Sequence, residues 1–325
     1  MARKGNKGGV VSSAAVFVGV DVSGAWLDIA SRPEGKVWRA ANTATGVRRL
    51  VVQLRKLQPE LIAMEATSNL HVRLANALTA AGLPFAVRNP RQIREFARSA
   101  GQIAKTDALD ARIIAHYAEA MRPPARPMPD AETQALQGLL ARRRQLCEAL
   151  VAERNHLRTA HAAAADGVRT HIAFLRGSLK ELEQQIAQMI ANRPRWRALD
   201  ALLRSTPGVG PVVAMTLIAG LPELGSAGKK QIAALVGVAP LNCDSGLMRG
   251  RRTVWGGRSH VRATLFMGAN VARQHHPLIK TFYRRLRDAG KPHRVAVTAC
   301  VHKLLVILNA MVRDDTAWVC PARAA

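Results

Sequence analysis

The first third of the chain alternates short apolar runs with turn residues. Residues 16–22 are rich in β-branched side chains, residues 26–30 alternate apolar with polar positions, and a further short run spans residues 37–40. Ser23-Gly24 separates the first two runs, and a proline-glycine turn follows the second. This pattern predicts three strands that pair as a meander.

Helical and strand patterns then follow one another up to residue 121. Thr43 precedes apolar residues at three- and four-residue spacing and is placed to cap a helix, which Pro59 closes. The next predicted elements are a strand at 61–65, a helix at 70–81, a strand at 85–88 and helical stretches over 90–121. The order β-β-β-α-β-α-β-α predicts a mixed α/β domain over residues 15–122.

Proline then interrupts the helical pattern. Four prolines predict a linker over residues 123–131, and the helical pattern resumes over residues 132–195. Leucine and isoleucine at three- and four-residue steps predict two long coiled-coil helices there, with a break at Asp166-Gly167. A seam this narrow can close within the chain as a hairpin or pair with another protomer, and the sequence favours neither.

Residues 196–315 predict a mainly α-helical domain. Its first part, Leu202-Leu-Arg-Ser-Thr-Pro-Gly-Val-Gly-Pro211 followed by an apolar helix, resembles a helix-hairpin-helix motif. Gly208 and Gly210 would there expose backbone N–H groups to a phosphate at a helix N-terminus. An ordinary tight turn between helices is the alternative explanation.

Charge narrows the class of partner. The 325 residues include 48 Lys and Arg against 22 Asp and Glu, a net charge of +26, which predicts a polyanionic partner, DNA or RNA. Aromatic residues make up only 4%, which favours contacts to phosphates over a broad base-stacking platform. Twelve basic residues and one Asp lie between residues 245 and 294, interleaved with glycines. The nucleic-acid contacts expected in this stretch are those of Arg249, Arg251, Arg252, Arg258 and Arg262.

The cysteines and the lengths of the apolar runs indicate where in the cell the protein works. The four cysteines are far apart and form no C-x-x-C pair, which speaks against a disulfide framework or a zinc knuckle and fits a reducing cytoplasm. No apolar run approaches the roughly 18 residues of a membrane span, so no membrane association is expected. Residues 1–14, which are basic, and residues 316–325 are expected to be tails.

Four of the 22 acidic residues are placed so that the fold can bring their side chains together. Asp21 ends the first predicted strand, Glu65 ends the strand after the first helix, and Asp107 and Asp110 lie three residues apart on one face of a predicted helix. Ligands bind at the carboxyl edge of an α/β sheet, and an all-oxygen set suits Mg²⁺ or Mn²⁺. Each acid alone has an ordinary structural explanation. Together they predict a metal site for phosphoryl transfer.

Motifs in both halves of the chain resemble one family. They are Gly19-Val-Asp-Val-Ser23, Met64-Glu-Ala-Thr67, Lys105-Thr-Asp-Ala-Leu-Asp-Ala111, Thr206-Pro-Gly-Val-Gly-Pro211, Leu235-Val-Gly-Val-Ala-Pro240, Ser245-Gly246, Arg249-Gly-Arg-Arg252 and His260-Val-Arg-Ala-Thr-Leu265. In this order and spacing they resemble the insertion-sequence-110 family of transposases, which includes pilin-gene invertases. The resemblance implies a RuvC-like (RNase H-like) α/β domain, a long helical coiled-coil middle segment and a mainly α C-terminal transposase domain.

The resemblance also implies a mechanism and partners. Ser245 would attack the scissile phosphate and form a covalent phosphoserine link, while the Asp-Glu-Asp-Asp set holds Mg²⁺ or Mn²⁺ nearby. A noncoding guide (bridge) RNA would pair with target and donor DNA. The working species would be a homo-oligomer, a dimer or tetramer, in which Ser245 of one subunit completes the carboxylate site of another. Such a protein is expected in the bacterial cytoplasm, associated with the nucleoid.

Other classes of function stay open on the residues alone. A RuvC-like metal-dependent junction nuclease accounts for the acids but not for the C-terminal half. A non-catalytic nucleic-acid-binding protein accounts for the charge, and would survive loss of the acids. A tyrosine recombinase fits poorly, because His260 is followed by Arg262 and not by an Arg at position 263, and Tyr283 follows too soon.

Overall fold

The computed structural model describes residues 15–66, 68–102, 107–242, 244–246, 248–250 and 252–320, with the backbone alone at 107–109 and 249. The chain divides into two compact units, the first running to Pro129 and the second beginning at Asp130. Each unit has its own hydrophobic core.

A five-stranded mixed sheet forms the centre of the first unit. Its strands are β1 (Phe17–Val22), β2 (Trp26–Arg32), β3 (Val37–Ala41), β4 (Leu61–Glu65) and β5 (Phe85–Arg88). They lie in the order β3-β2-β1-β4-β5, with β1 to β3 antiparallel and with β1, β4 and β5 parallel. The predicted meander and the mixed α/β class are therefore confirmed.

Four helices cover the two faces of this sheet: α1 (Ala44–Leu57), α2 (Val72–Ala81), α3 (Pro90–Ser99) and α4 (Asp107–Met121). Thr43 caps α1 as predicted, because its side chain accepts a hydrogen bond from the Gly46 N–H at 3.1 Å. Alternate strand residues face opposite sides of a sheet. Val20 and Met64 accordingly belong to the core shared with α1 and α2. The opposite face of the sheet packs against α4.

Helix α4 lies directly on β1 at Gly19. A Cβ atom at this position would overlap the backbone of α4 at Ala111, Ile114 and Ala115. The absence of a side chain at Gly19 is therefore what allows the helix to approach the strand so closely. The polar end of α4 is brought to the sheet by the same contact.

The second unit begins with two long antiparallel helices, α5 (Ala131–Thr159) and α6 (Ala162–Ala191), which pack against each other within the chain. The predicted break at Asp166-Gly167 is wrong. The chain turns at Ala160, whose backbone is extended, and His161 caps α6 by accepting from the Ala163 N–H. Gly167 is tolerated inside α6 because it is exposed and has no side chain to pack, while Asp166 forms an ion pair with Arg169 one turn later.

The rest of the second unit is helical apart from a short β segment. Its helices are α7 (Pro194–Arg204), α8 (Pro211–Gly220), α9 (Lys229–Val236), α10 (Ser259–His275), α11 (Pro277–Asp288) and α12 (His293–Asp314). Four two-residue strands follow α9: β6 (Pro240–Leu241), β7 (Asp244–Ser245), β8 (Met248–Arg249) and β9 (Thr253–Val254). One continuous core runs from Leu136 on α5 to Met311 on α12.

Helix α12 is long and apolar enough to cross a membrane by length and composition. No such segment is predicted from the apolar runs in the sequence. One side of the helix, with Leu304 and Leu308 among its residues, is buried in the core of the second unit. The buried Asn309 amide accepts from the Gly225 N–H at 2.8 Å and donates to the Ala227 carbonyl at 2.9 Å. This packing explains the apolar composition of α12 as that of a core helix.

Candidate active site

Two of the predicted acids lie side by side at the ends of neighbouring parallel strands. Val20 on β1 is in register with Met64 on β4, so the next residues along the two strands are Asp21 and Glu65. Both are partly buried and share a face with Gly19, the face that α4 covers. The sheet thus brings the two carboxylates to one edge, as the strand order predicts.

Helix α4, whose sequence contains the other two predicted acids, begins at the same edge. Its central residues Ala111 and Ala115 approach Gly19, and the Arg122 guanidinium, just past its end, lies 5.2 Å from the centre of the Phe17 ring at the start of β1. The helix therefore runs antiparallel to β1, and its first turn points toward the Asp21 end of the strand. Asp110, partly buried, lies in that turn.

The chemistry of this donor set is uniform. Asp107 begins α4, and its side chain lies outside the described part of the structure. Among the described side chains, no group of three or more His, Cys, Asp or Glu lies close enough together to hold a metal ion. Asp21, Glu65 and Asp110 offer only carboxylate oxygens, which fit Mg²⁺ or Mn²⁺ rather than a softer metal.

A fifth acid, which the sequence pattern does not predict, lies at this edge. Asp28 on β2 lies directly across from Asp21 in the antiparallel pair and is 7% exposed. Arg39 on β3 binds it with two hydrogen bonds, Nε to Oδ1 at 2.7 Å and Nη2 to Oδ2 at 3.1 Å. Like charges directly opposite each other destabilise a strand pair. The guanidinium therefore offsets the charge of Asp28 beside Asp21.

Ser245 lies in the second unit, near the tip of a small hairpin built from two short antiparallel strand pairs. The outer pair, β6 and β9, aligns Pro240 with Val254, and the inner pair, β7 and β8, aligns Ser245 with Met248. We call the segment from Pro240 to Val254 the Ser245 hairpin. Ser245 is exposed, and Gly246 next to it has a φ of +54°, the left-handed conformation that a tight turn requires. The hairpin presents the serine hydroxyl to solvent.

The two glycines of the helix-hairpin-helix segment have different environments. Gly208 has a φ of +98°, and a Cβ there would lie 2.7 Å from both the Ala272 Cβ and the Gly268 oxygen of α10. Close packing against α10 explains this glycine without a ligand. Gly210 caps α8, is exposed and has open space around its Cα. Of the two expected phosphate contacts, only Gly210 faces outward.

Family models match both units. A model for the DEDD transposase of IS110 matches residues 18–161, a span that includes Asp21, Glu65, Asp107 and Asp110. A second model, described as transposase of the IS116/IS110/IS902 family, matches residues 200–284, which include Ser245. The chain belongs to the IS110 family of transposases.

Similar proteins include a gene-inverting protein and a protein of an insertion element. The pilin gene-inverting protein of Moraxella bovis is 27% identical over 259 residues, covering 78% of this chain and 80% of the relative. The 43.6 kDa protein of insertion element IS110 from Streptomyces coelicolor is 30% identical over 139 residues, covering 42% of this chain and 33% of the relative. The family membership makes this protein a DNA recombinase, an enzyme that acts on DNA.

The arginines of the transposase that were expected to contact nucleic acid divide into two groups. Arg258 donates to both carboxylate oxygens of Glu223, at 2.6 and 2.7 Å, and to the Gly220 carbonyl. Arg262 donates to three backbone carbonyls, including that of Gly256 at 2.5 Å. Both guanidiniums therefore have internal partners, and those of Arg262 lie just before and just after the Ser245 hairpin.

The other three arginines of the predicted set lie in the Ser245 hairpin itself. Arg252 is exposed at the base of the Ser245 hairpin. Arg249 pairs with Asp244 through the backbone of β8, and Arg251 lies outside the described residues. Of the described side chains among these five arginines, those of Arg258 and Arg262 are partly buried and that of Arg252 is exposed to a phosphate in solvent.

This division predicts two different mutant phenotypes. Arg258→Ala is expected to lower the free energy of unfolding by about 1–3 kcal/mol, because the Glu223 carboxylate loses its two charge-assisted hydrogen bonds. Arg252→Ala is expected to leave unfolding unchanged and to reduce the salt dependence of DNA binding by about one counterion. Thermal unfolding and DNA titrations at several salt concentrations measure both effects. Equal loss of stability in the two variants would contradict the assignment of a structural role to Arg258 and a nucleic-acid-binding role to Arg252.

Proposed function

We propose that this transposase cuts and rejoins DNA through Ser245, with Asp21, Glu65, Asp107 and Asp110 acting on the same phosphate. The observation that supports this most is the register of β1 and β4, which aligns Asp21 with Glu65 below the start of α4. The sheet order β3-β2-β1-β4-β5 also supports a RuvC-like, RNase H-like fold for the first unit.

The four carboxylates are the residues that would hold Mg²⁺ or Mn²⁺. When bound, the metal would supply positive charge that stabilises the oxygens of the reacting phosphate. The protein's own part is to bring the carboxylates to one edge of the sheet. Arg39 holds the neighbouring Asp28 in a separate ion pair.

In the proposed reaction the Ser245 Oγ forms a bond to phosphorus while the bond to one DNA oxygen breaks. The serine proton leaves to solvent or a base, and the departing DNA oxygen takes a proton in turn. One phosphate ester replaces another, so the bond energy is kept and a DNA hydroxyl can reverse the step without ATP. An exposed serine on a hairpin is accessible to such a phosphate, and the basic surface around it balances the charge that develops.

The proposal includes the partners expected from the sequence. Target and donor DNA would be paired by a guide (bridge) RNA, and a charge of +26 suits binding to both kinds of polyanion. The protein would act in the cytoplasm at the nucleoid.

A dimer or tetramer is supported by exposed apolar residues on the long helices, Val151 at 55% and Phe174 at 67% exposure. In that assembly Ser245 of one subunit would complete the carboxylate site of another. Light scattering of the nucleic-acid complex that gives only a monomer would contradict this part.

The serine chemistry is tested by the fate of labelled DNA. Wild type, Ser245→Ala and the control Ser259→Ala, which changes another exposed serine of the second unit, are incubated with end-labelled target, donor, guide RNA and Mg²⁺ and then denatured. We expect label on the protein with wild type and Ser259→Ala, and none with Ser245→Ala, because only Ser245 forms the covalent ester.

Each alternative function gives a different result in this assay. Free cleaved ends from Ser245→Ala at the wild-type rate would show that water, not serine, attacks the phosphate, which is the reaction of a junction nuclease. DNA binding by wild type with neither adduct nor cleavage, and with no effect of substituting the acids, would identify a non-catalytic binding protein.

A further inference from the structure

A wide groove opens in the second unit between the base of the Ser245 hairpin and helices α11 and α12. Its volume is about 960 Å³. Ligand sites in proteins commonly have about 300–1,000 Å³, so the groove has room for a ligand of at least drug size. Its apolar lining includes Val254 from the hairpin, Phe282 from α11 and Val295 and Val306 from α12. Val295 is 44% exposed, so part of this apolar lining is open to solvent.

The polar lining of the groove has one sign of charge. Its charged side chains are Arg252, Arg285, Arg294 and Lys303, and the described lining residues include no Asp or Glu. Lys303 Nζ and the Arg285 guanidinium lie 4.6 and 5.3 Å from the centre of the Phe282 ring. Cation–π contacts of this kind hold the two positive charges beside the apolar surface.

We propose that this groove binds a single-stranded DNA segment, with its bases against the apolar lining and its phosphates against the four cations. The inference rests on the proposed function, which identifies the strand as the one that contains the phosphate attacked by Ser245. A single strand is the ligand with both a regularly charged backbone and exposed flat apolar rings.

The mixed lining favours a single strand over a duplex. A duplex keeps its bases stacked inside, so it would contact the arginines but leave the exposed Val295 and the apolar lining unused. An acidic peptide would satisfy the charges, yet it has no regular series of flat rings for an apolar surface of this size. The charge pattern and the apolar lining together therefore point to unpaired nucleotides.

The position of the groove connects it to Ser245. Arg252 and Val254 lie in both the groove wall and the Ser245 hairpin, and Leu241 pairs with Thr253 at the hairpin base. From this base to Ser245 the chain extends four residues, at most about 14 Å. A strand lying in the groove would therefore have a phosphate near Ser245 within a few nucleotides.

Two charge-matched substitutions test the groove. Val295→Glu places a carboxylate among the phosphates, and the first turn of α12 tolerates an acid because of the helix dipole. Val271→Glu makes the same change of charge at a valine of α10 that is 48% exposed and does not line the groove. A difference between the two variants then reports position and not net charge.

The measurement is fluorescence anisotropy of a labelled oligothymidylate of about 20 nucleotides, titrated with the full-length protein without Mg²⁺. We expect Val295→Glu to raise Kd about tenfold relative to Val271→Glu, and duplex DNA to show a much smaller difference. Equal Kd values for the two variants would overturn the proposal. So would an equal effect on duplex DNA, or competition for the groove by RNA or a polyglutamate peptide better than by oligothymidylate.

A crosslink locates the strand independently. Photoactivated bromodeoxyuridine in the oligonucleotide is expected to attach to peptides of α11 and α12 in wild type, and crosslinks found only elsewhere would overturn the assignment. Neither measurement needs strand cleavage. A groove that binds DNA in a protein that forms no adduct would leave single-strand binding standing, while the serine proposal, and with it the identity of the bound strand, fails. Adduct formation without DNA binding in the groove would support the serine proposal and overturn the groove assignment.

Discussion

Asp21→Asn is expected to reduce DNA strand cleavage at least about 100-fold while leaving DNA binding unchanged or tighter. Asparagine keeps the size of the side chain but loses the charge and one ligand oxygen at the edge where Glu65 and α4 meet the sheet. The removed negative charge also lowers repulsion of the phosphate backbone. Gel assays of cleavage and anisotropy of binding, made on the same samples, measure the two effects separately.

The control for this variant is Glu34→Gln, which removes the same charge from an exposed turn in the same unit. It is expected to cleave at the wild-type rate. Cleavage by Asp21→Asn equal to that of Glu34→Gln would remove Asp21 from the reaction. A covalent adduct that forms normally in Asp21→Asn would show that the carboxylates and Ser245 do not act on one phosphate.

Gly19→Ala is expected to destabilise the first unit by about 3 kcal/mol or more. The added methyl group would overlap the backbone of α4, which cannot move aside as a flexible side chain can. The helix must then lift from β1, and Asp110 moves with it, so cleavage should fall together with stability. Hydrogen exchange measured by mass spectrometry on peptides of β1 and α4 reports the loss within the first unit.

Gly24→Ala is the matched control, because a Cβ there meets nothing within 4 Å and the backbone is not left-handed. It is expected to exchange as wild type does. If the two alanine variants exchange alike, the close contact between β1 and α4 is not what holds the edge together.

Much of the first unit is predictable because its elements are short and sharply bounded. β4 and β5 begin and end at the predicted residues: Pro59 precedes β4, and Pro84 and Pro90 lie on either side of β5. The adjacency of Asp21 and Glu65 follows from the strand order, because the carboxyl ends of parallel neighbours lie at one edge. Asp28 could not be found in this way. Its position opposite Asp21 depends on the register that the turn between β1 and β2 sets, and the sequence does not specify that register.

Glycines of the second unit show why residue type alone is ambiguous. In the sequence, glycine predicts a helix break at residue 167 and a phosphate contact at residue 208. Yet residue 167 continues an exposed helix, and residue 208 allows close packing on α10. Arg258 similarly forms an internal ion pair with Glu223, 35 residues away in sequence. A single sequence gives the residue type at each of these positions but not the neighbour that uses it.

The position of α12 has a consequence for synthesis. The first unit has its whole core within residues that leave the ribosome early, so it can fold while translation continues. The core that begins at Leu136 lacks a central helix until His293–Asp314 has emerged. A copy of the gene interrupted by a stop codon before residue 293 would therefore yield the carboxylate edge on a folded unit and leave Ser245 on an unfinished one.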